Sequence, residues 1–425
     1  MKEREKNGIF LREKIRCTRL GTMMKTIALL ENPVQNYAWG SRSFIPDLLG
    51  EVSPAADPMA ELWMGTHPKA PSVVLLQDER ISLLELIRRR PIDILGESVA
   101  KRFSNDLPFL FKVLAAAEPL SIQAHPNRDQ AREGFANENL QKIPLNAFNR
   151  NYKDQNHKPE IICALEPFWA LKGFRRVEEI VLLMDKIAAR ALEQDLSALR
   201  KRPDKEGLKT FFRALIMMEK APRTKALMEA AEQSEKLACD DPAFEWVVKL
   251  SESYPGDIGI LSPILLNLVH LQPGEAMNIP AGELHAYLEG AGIELMANSD
   301  NVLRGGLTPK NVAVSELLNI LSFKAGTARL LRPDQRADCE GVYETDTDEY
   351  NLSVLDIHEG DFFKSPRKRS VEIMICIEGD ARITDLGMGD VLSLKKGTSF
   401  IVPAAVEQYR IEGETRIYKA AVPLS

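Results

Sequence analysis

The sequence predicts a mainly β protein with one helical insertion and a second β domain at its C-terminal end. Three observations carry that prediction. Short apolar runs broken by Pro, Gly and Asn fill the first part of the chain, a block of helical periodicity follows, and one β unit is then written twice without a gap. At 425 residues the chain exceeds one ordinary hydrophobic core, so two or three domains are expected.

Each element has its own reason. Residues 1–22, "MKEREKNGIFLREKIRCTRLGT", mix both charges and lack the apolar centre of an export signal. They are read as an N-terminal extension, either disordered or upstream of the true start, with Met23 or Met24 as the internal alternative. From Met24 to Phe174, runs such as "LPFLFKVL", "LSIQAHP" and "EIICALEPFWAL" favour strands. From Arg175 the texture changes. Val177, Ile180, Val181, Met184 and Ile187 recur at helical spacing, as do Leu208, Phe211, Phe212 and Leu215, and "SYPGD" from Ser253 closes the block. The expected division is one barrel from 23–174 plus 256–325, an all-α domain over 175–255, and a second β domain over 326–425.

The repeat is the most informative feature. "LQPGEAMNIPAGELHAYLEG", from Leu271, aligns with "LKKGTSFIVPAAVEQYRIEG", from Leu394, so that Gly274 matches Gly397, Pro280 matches Pro403 and Gly290 matches Gly413. Where the first copy has His285, the second has Gln408. A histidine required only by the fold would be required in both copies, so His285 is a candidate for chemistry.

Composition limits the partners. A net charge of −6 argues against a nucleic-acid or membrane-surface binder, and an anionic substrate then needs a local basic pocket. Cys17, Cys163, Cys239, Cys339 and Cys376 are scattered and never form a CxxC pair, so neither a disulfide framework nor a zinc ribbon follows. The most apolar run, "ILSPILLNLVHL", is interrupted by Pro263 and falls short of the roughly 18 residues a spanning helix needs. The expectation is a cytoplasmic protein, a monomer or weak homodimer, with a small-molecule partner and no nucleic acid or membrane.

The spacing G-x5-P-x-G-x2-H, filled by Gly274, Pro280, Gly282 and His285, resembles the second motif of the cupin barrel, with Glu289 where an Asn usually closes it. The histidine of that motif points inward at a metal. Its partners must come from a strand with period-2 spacing, because only residues i and i+2 share a face, and "PLSIQAHPN" supplies Gln123 and His125. "NHKPEIICAL" supplies a carboxylate, Glu160, at the head of an apolar strand where an unpaired charge is costly. Nitrogen and oxygen donors without thiolates suit Zn²⁺, with other divalent ions also accommodated. A neutral Gln leaves the ion a usable Lewis acid, which favours catalysis over a purely structural role.

Five motifs taken together resemble the type I mannose-6-phosphate isomerases: "QNYAWGS" from Gln35, "SIQAHP" from Ser121, "HKPEI" from His157, "GELHAY" from Gly282 and "NSDNVLRGGLTPK" from Asn298. The resemblance runs from about residue 24 to 425. It implies a zinc-dependent aldose-ketose isomerase that interconverts mannose 6-phosphate and fructose 6-phosphate through a cis-enediol, with one Zn²⁺ per chain on Gln123, His125, Glu160 and His285 and an active-site arginine at Arg304. It also implies a cupin-type double-stranded β-helix (jelly-roll) catalytic barrel, an all-α domain, and a second, C-terminal cupin-like β domain. The product would feed GDP-mannose biosynthesis or sugar catabolism.

Chemistry assigns the remaining candidates. Moving a proton between C1 and C2 needs a proton carrier, and Lys158, two residues from Glu160, shares its face; Glu294 and Asp300 are the alternative carriers. Arg304, followed by Gly305 and Gly306, balances enediolate charge or holds phosphate. Lys310, Lys112 and Ser121 complete the substrate-binding candidates, Lys112 being equally readable as a lysine snorkelling from a strand edge. Tyr37 and Trp39 are read as core or lid. The rival readings are a cupin that acts on or senses another sugar phosphate and an Fe(II) oxygenase, the latter disfavoured because Gln123 replaces the first histidine of the usual His-x-His pair.

Overall fold

The computed structural model describes residues 25–76, 79–187, 190–310 and 312–424; the expected extension over 1–22 lies outside them. By internal packing the chain divides into two units, one holding residues up to 37 with 42–113 and 332–425, the other 38–41 with 114–331. No helix is long and apolar enough to cross a membrane among the described residues.

In the first unit an eleven-stranded sheet runs in the order Asp334–Ala337, Glu340–Tyr343, Asn351–Ile357, Tyr409–Ala421, Glu372–Asp385, Ser399–Val402, Ala28–Glu31, Val73–Leu76 and Glu79–Ser82. Two further strands, Phe362–Lys364 and Val391–Lys395, pair with Tyr409–Ala421 and Glu372–Asp385. Leu355, Phe363, Met374, Phe400, Ile411 and Ile417 form its core. The strands Ala28–Glu31 and Val73–Leu76 were expected in the first barrel. Instead Ala28–Glu31 hydrogen-bonds to Ser399–Val402 on one side and Val73–Leu76 on the other. An apolar strand pairs wherever a ladder is open, and its own residues do not name the partner.

The second unit is organised by one long strand, His285–Ala297. Its first part pairs with Phe168–Phe174 and its second with Glu160–Ala164. The ladder shifts register between Tyr287 and Glu289, beside Gly290 at φ +119°, where a Cβ would sit 2.6 Å from the Pro167 carbonyl oxygen. A side chain is excluded there by both strain and space, so the glycine allows the strand to leave one ladder and enter the next. Leu266–Leu271 extends the sheet beyond Phe168–Phe174, and Ala276–Ile279 does so beyond Glu160–Ala164. Ile122–Ala124 lies between His285 and the strand Leu303–Gly306. The repeat is visible in the backbone: Gly274 and Gly397 both have φ +84°, and Gly413, matching Gly290, has φ +136°.

Between residues 177 and 253, the described residues form five α-helices, Val177–Ile187, Glu193–Lys201, Lys205–Ile216, Lys220–Leu237 and Pro242–Ser253. Asp204 and Asp241 cap the third and fifth by accepting from the Gly207 and Ala243 amides. The periodic residues Ile180, Met184, Leu208, Phe211, Phe212 and Leu215 are buried, and they share one core with Ile122, Leu171, Phe174 and Leu284 of the strands. Each large side chain so buried contributes roughly 1.5–3 kcal/mol, so the helices are held by the sheet they cover. The helix Arg128–Leu140 lies in the stretch before residue 175 whose texture favours strands. Its periodicity was silent because only Ala131 and Glu138 are buried, yet its start is explicit: Asn127 and Gln130 form a reciprocal capping box.

Candidate metal centre

Three strands bring His125, Glu160 and His285 together, their ligand atoms all within 4.8 Å of one another. His285 opens its strand directly opposite Gln123, and Glu160 opens its strand opposite Ile279. Both imidazoles turn Nδ1 toward a backbone carbonyl, His125 to Asn301 at 2.7 Å and His285 to Glu283 at 3.1 Å. That fixes Nε2 as the atom facing inward, 3.4 Å and 3.3 Å from the two Glu160 oxygens.

The electrostatics favour a cation between them. Burial, then the nearby Lys158 ammonium, pulls His125 down to about 4, so its ring is neutral near pH 7. Its Nε2 is buried and has no hydrogen-bond partner among the described residues. Burial alone would raise the Glu160 carboxyl, but the Lys158 charge beside it opposes that, and the group is held well below the usual carboxylate range. A neutral ring with an orphaned lone pair, facing an ionised carboxylate only 3% exposed, is a donor set that a divalent ion satisfies.

The other sequence candidates fall around this cluster. In register, Lys172, His285, Gln123 and Arg304 stand in one row across four strands, so their side chains leave the same face of the sheet. The amide nitrogen of Gln123 donates to Ser121 Oγ at 3.4 Å. Lys158 Nζ lies 2.8 Å from Glu160 Oε1. Glu294 is buried, and by register it shares the face of Glu160, next along its strand from the Met296 that pairs with Glu160. Asp300 has its backbone N–H held by Asp154 Oδ2 at 2.8 Å. Burial lowers Arg304, and the Arg304 charge, with burial second, lowers the exposed Lys310: two cations lie close together. Lys112 belongs to the other unit, where it is buried 3.6 Å from Glu61 Oε1 and 5.6 Å from the Trp63 ring centroid.

Two residues beside the cluster escaped the sequence reading. Lys172, cross-strand neighbour of His285, lies 3.6 Å from Glu283 Oε2, and only the long-range register reveals it. Asn301 lay inside a quoted motif but offered no chemistry-bearing group of its own.

The second copy of the repeat is built differently at the same positions. Glu372 pairs with Val402 as Glu160 pairs with Ile279, and Val402 is the counterpart of Ile279. Two fixed cations attend Glu372, Arg369 Nη1 at 3.3 Å and Lys419 Nζ at 3.6 Å, while Gln408 spends its amide on the Ser365 carbonyl at 3.0 Å. Side chains already neutralise this carboxylate.

A β-rich fold with a single His–Glu–His cluster among its described residues defines a protein built to hold a metal ion. The sequence model for the catalytic domain of type I phosphomannose isomerase matches residues 27–177, and that for the mannose-6-phosphate isomerase cupin domain matches 340–422. Mannose-6-phosphate isomerase of Escherichia coli (strain K12) is 42% identical over 392 residues, spanning 91% of this chain and 97% of its own; that of Homo sapiens is 40% identical over 321 residues, spanning 70% and 73%. Among solved structures, a variant of phosphomannose isomerase from Salmonella typhimurium matches with a TM-score of 0.88 and 39% identity, covering 94% of this chain and all of its own. A mannose 6-phosphate isomerase bound with zinc and yttrium matches with a TM-score of 0.86, 39% identity and the same coverage. The chain belongs to the type I mannose-6-phosphate isomerase family.

Proposed function

We propose that this protein is a zinc-dependent aldose-ketose isomerase interconverting D-mannose 6-phosphate and D-fructose 6-phosphate, with one zinc per chain held by Gln123, His125, Glu160 and His285. The observation that carries the reading is the buried, unpartnered Nε2 of His125 facing the ionised Glu160 in a member of this family. When bound, zinc supplies Lewis-acid polarisation of the sugar carbonyl and its neighbouring hydroxyl.

This chain's own residues do the rest. In its neutral amine form Lys158, beside Glu160, takes the proton from C2 of the open-chain aldose; the electron pair forms the C1–C2 double bond of a cis-enediol as the carbonyl oxygen gains a proton. Return of a proton to C1, with loss of the O2 proton, gives the ketose, so no net proton is consumed. Glu294 and Asp300 stand as the alternative carriers. Arg304 and Lys310, close enough for one to depress the other, gain most from a dianion between or beside them, which supports a phosphate or enediolate contact. Ser121 orients Gln123 in this reading.

In the proposed architecture, 23–174 with 256–325 form the double-stranded β-helix apart from the strands Ala28–Glu31 and Val73–Leu76, 175–255 is an all-α insertion, and 326–425 is a second cupin-like β domain. The enzyme works in the cytoplasm as a monomer or weak homodimer, with the sugar phosphate as its partner. The test is mannose 6-phosphate turnover in D₂O, which should form fructose 6-phosphate carrying deuterium at C1. No turnover of mannose 6-phosphate by zinc-loaded protein would refute the reading.

A further inference from the structure

Asn301 is fully buried in the short segment between the strands His285–Ala297 and Leu303–Gly306, and all of its polar groups are engaged. Its carbonyl accepts the Nδ1–H of His125 at 2.7 Å. Its side-chain oxygen accepts the backbone N–H groups of Lys153 at 2.6 Å and Asp154 at 3.2 Å. Its side-chain nitrogen donates to the carbonyls of Asp154 and Asn156, both at 2.9 Å, and to Asp154 Oδ1 at 3.2 Å. Its own N–H donates to Ser299 Oγ at 3.2 Å. Asp154 answers from the other side, accepting from Ser299 Oγ at 2.9 Å and from the Asp300 amide at 2.8 Å.

We propose that Asn301 is a positioning residue of the metal centre: its main-chain carbonyl sets the tautomer and aim of His125, and its side chain, through residues 153–156, sets the place of Lys158 and Glu160. This rests on the zinc-isomerase reading. The segment 153–156 runs directly into Lys158 and Glu160, so fixing its backbone fixes where that strand begins. The same asparagine lies one residue from Asp300 and three from Arg304. Three pieces of the site, distant in sequence, therefore meet on one residue.

The choice of residue follows from the count of donors and acceptors. Two backbone N–H groups need an acceptor and two carbonyls need donors at one buried point, and a primary amide alone offers both. Aspartate keeps the shape but turns oxygens toward the Asp154 and Asn156 carbonyls; alanine leaves all four backbone groups without that partner. The His125 bond comes from the Asn301 main chain, so side-chain changes act on His125 by letting the segment shift. Outer partners of metal-ligating histidines govern metal affinity by about 10–100-fold.

The test is zinc affinity by chelator competition, with kcat and KM measured on the same full-length preparations of wild type, Asn301→Ala, Asn301→Asp, Asp154→Ala and Leu250→Ala. Leu250 is buried in the helix Pro242–Ser253 and serves as a destabilising control away from the site. Asn301→Ala should weaken zinc about 10–100-fold and lower kcat more than it changes KM, with Asn301→Asp at least as severe. Asp154→Ala, at a half-buried position, should move zinc affinity in the same direction by a smaller factor. Leu250→Ala should lower the melting temperature and leave zinc affinity at the wild-type value. A folded Asn301→Ala protein with wild-type zinc affinity would overturn the inference, as would a loss matched by Leu250→Ala. If the Asn301 variants do not fold, wild-type zinc affinity in Asp154→Ala overturns it. Wild type that neither holds zinc nor isomerises would overturn the functional reading instead.

Discussion

Replacing His285 by alanine removes the imidazole whose Nε2 lies 3.3 Å from Glu160 Oε2. Four-ligand structural zinc sites bind with an apparent ~10–16 kcal/mol, so each donor contributes about 3 kcal/mol on average, and losing one weakens zinc roughly 10²-fold. At a zinc concentration near 100 times the wild-type Kd, binding stabilises wild type by about 2.7 kcal/mol, and the variant, then only half saturated, by about 0.4 kcal/mol. Water replaces the ring poorly, because the position is only 4% exposed, and Lys158, 2.8 Å from Glu160, keeps its claim on the carboxylate. The paired control is Gln408→Ala, at the matching position of the second repeat, where the amide serves the Ser365 carbonyl. Chelator competition and zinc-dependent thermal shifts read both variants. His285→Ala should lose most of both signals and Gln408→Ala neither. Wild-type zinc affinity in His285→Ala, or zinc lost from Gln408→Ala, would refute the reasoning.

Arg304→Ala should lower kcat/KM for mannose 6-phosphate by two or more orders of magnitude, on the order of 3 kcal/mol; comparison with unphosphorylated mannose tells phosphate contact, where mannose suffers less, from enediolate contact, where both suffer equally, and small equal losses would contradict either. Lys158→Met should retain zinc while abolishing both turnover and deuterium incorporation from D₂O; normal incorporation would pass the proton to Glu294 or Asp300. Alkaline stability provides a test in the other unit, where burial, then Glu372, holds the Tyr409 phenol well above its ordinary 10.0. Its folded value is raised, so the stability it contributes is intact below about pH 10 and lost as pH rises beyond, because the unfolded chain releases the proton first. Tyr409→Phe should flatten the fall in urea midpoint above about pH 10; an unchanged slope would rule out this ionisation as a cause.

The site was legible where chemistry is local. Gln123 and His125 share a face by period 2, Glu160 heads an apolar strand, and His285 differs from its repeat partner Gln408, so each could be singled out without knowing any pairing. What depends on register was not legible. Lys172 reaches the row beside His285 only because two distant strands align, and Ala28–Glu31 joins Ser399–Val402 across most of the chain. Asn301 was hidden for a different reason: its value lies in serving other residues' backbone groups, which leaves no signature in composition or spacing. The helix Arg128–Leu140 lacks an apolar stripe, and the capping residues Asn127 and Gln130 were the signal that was available for it.

The most direct measurement is a zinc titration of the metal-free protein, followed by the rate of fructose 6-phosphate formation from mannose 6-phosphate. Activity should be absent after chelation, rise linearly with added zinc and break at one equivalent per chain, the site of His125, Glu160 and His285. Full turnover by metal-free protein, or a break at two equivalents, would contradict a single zinc centre as the seat of the reaction.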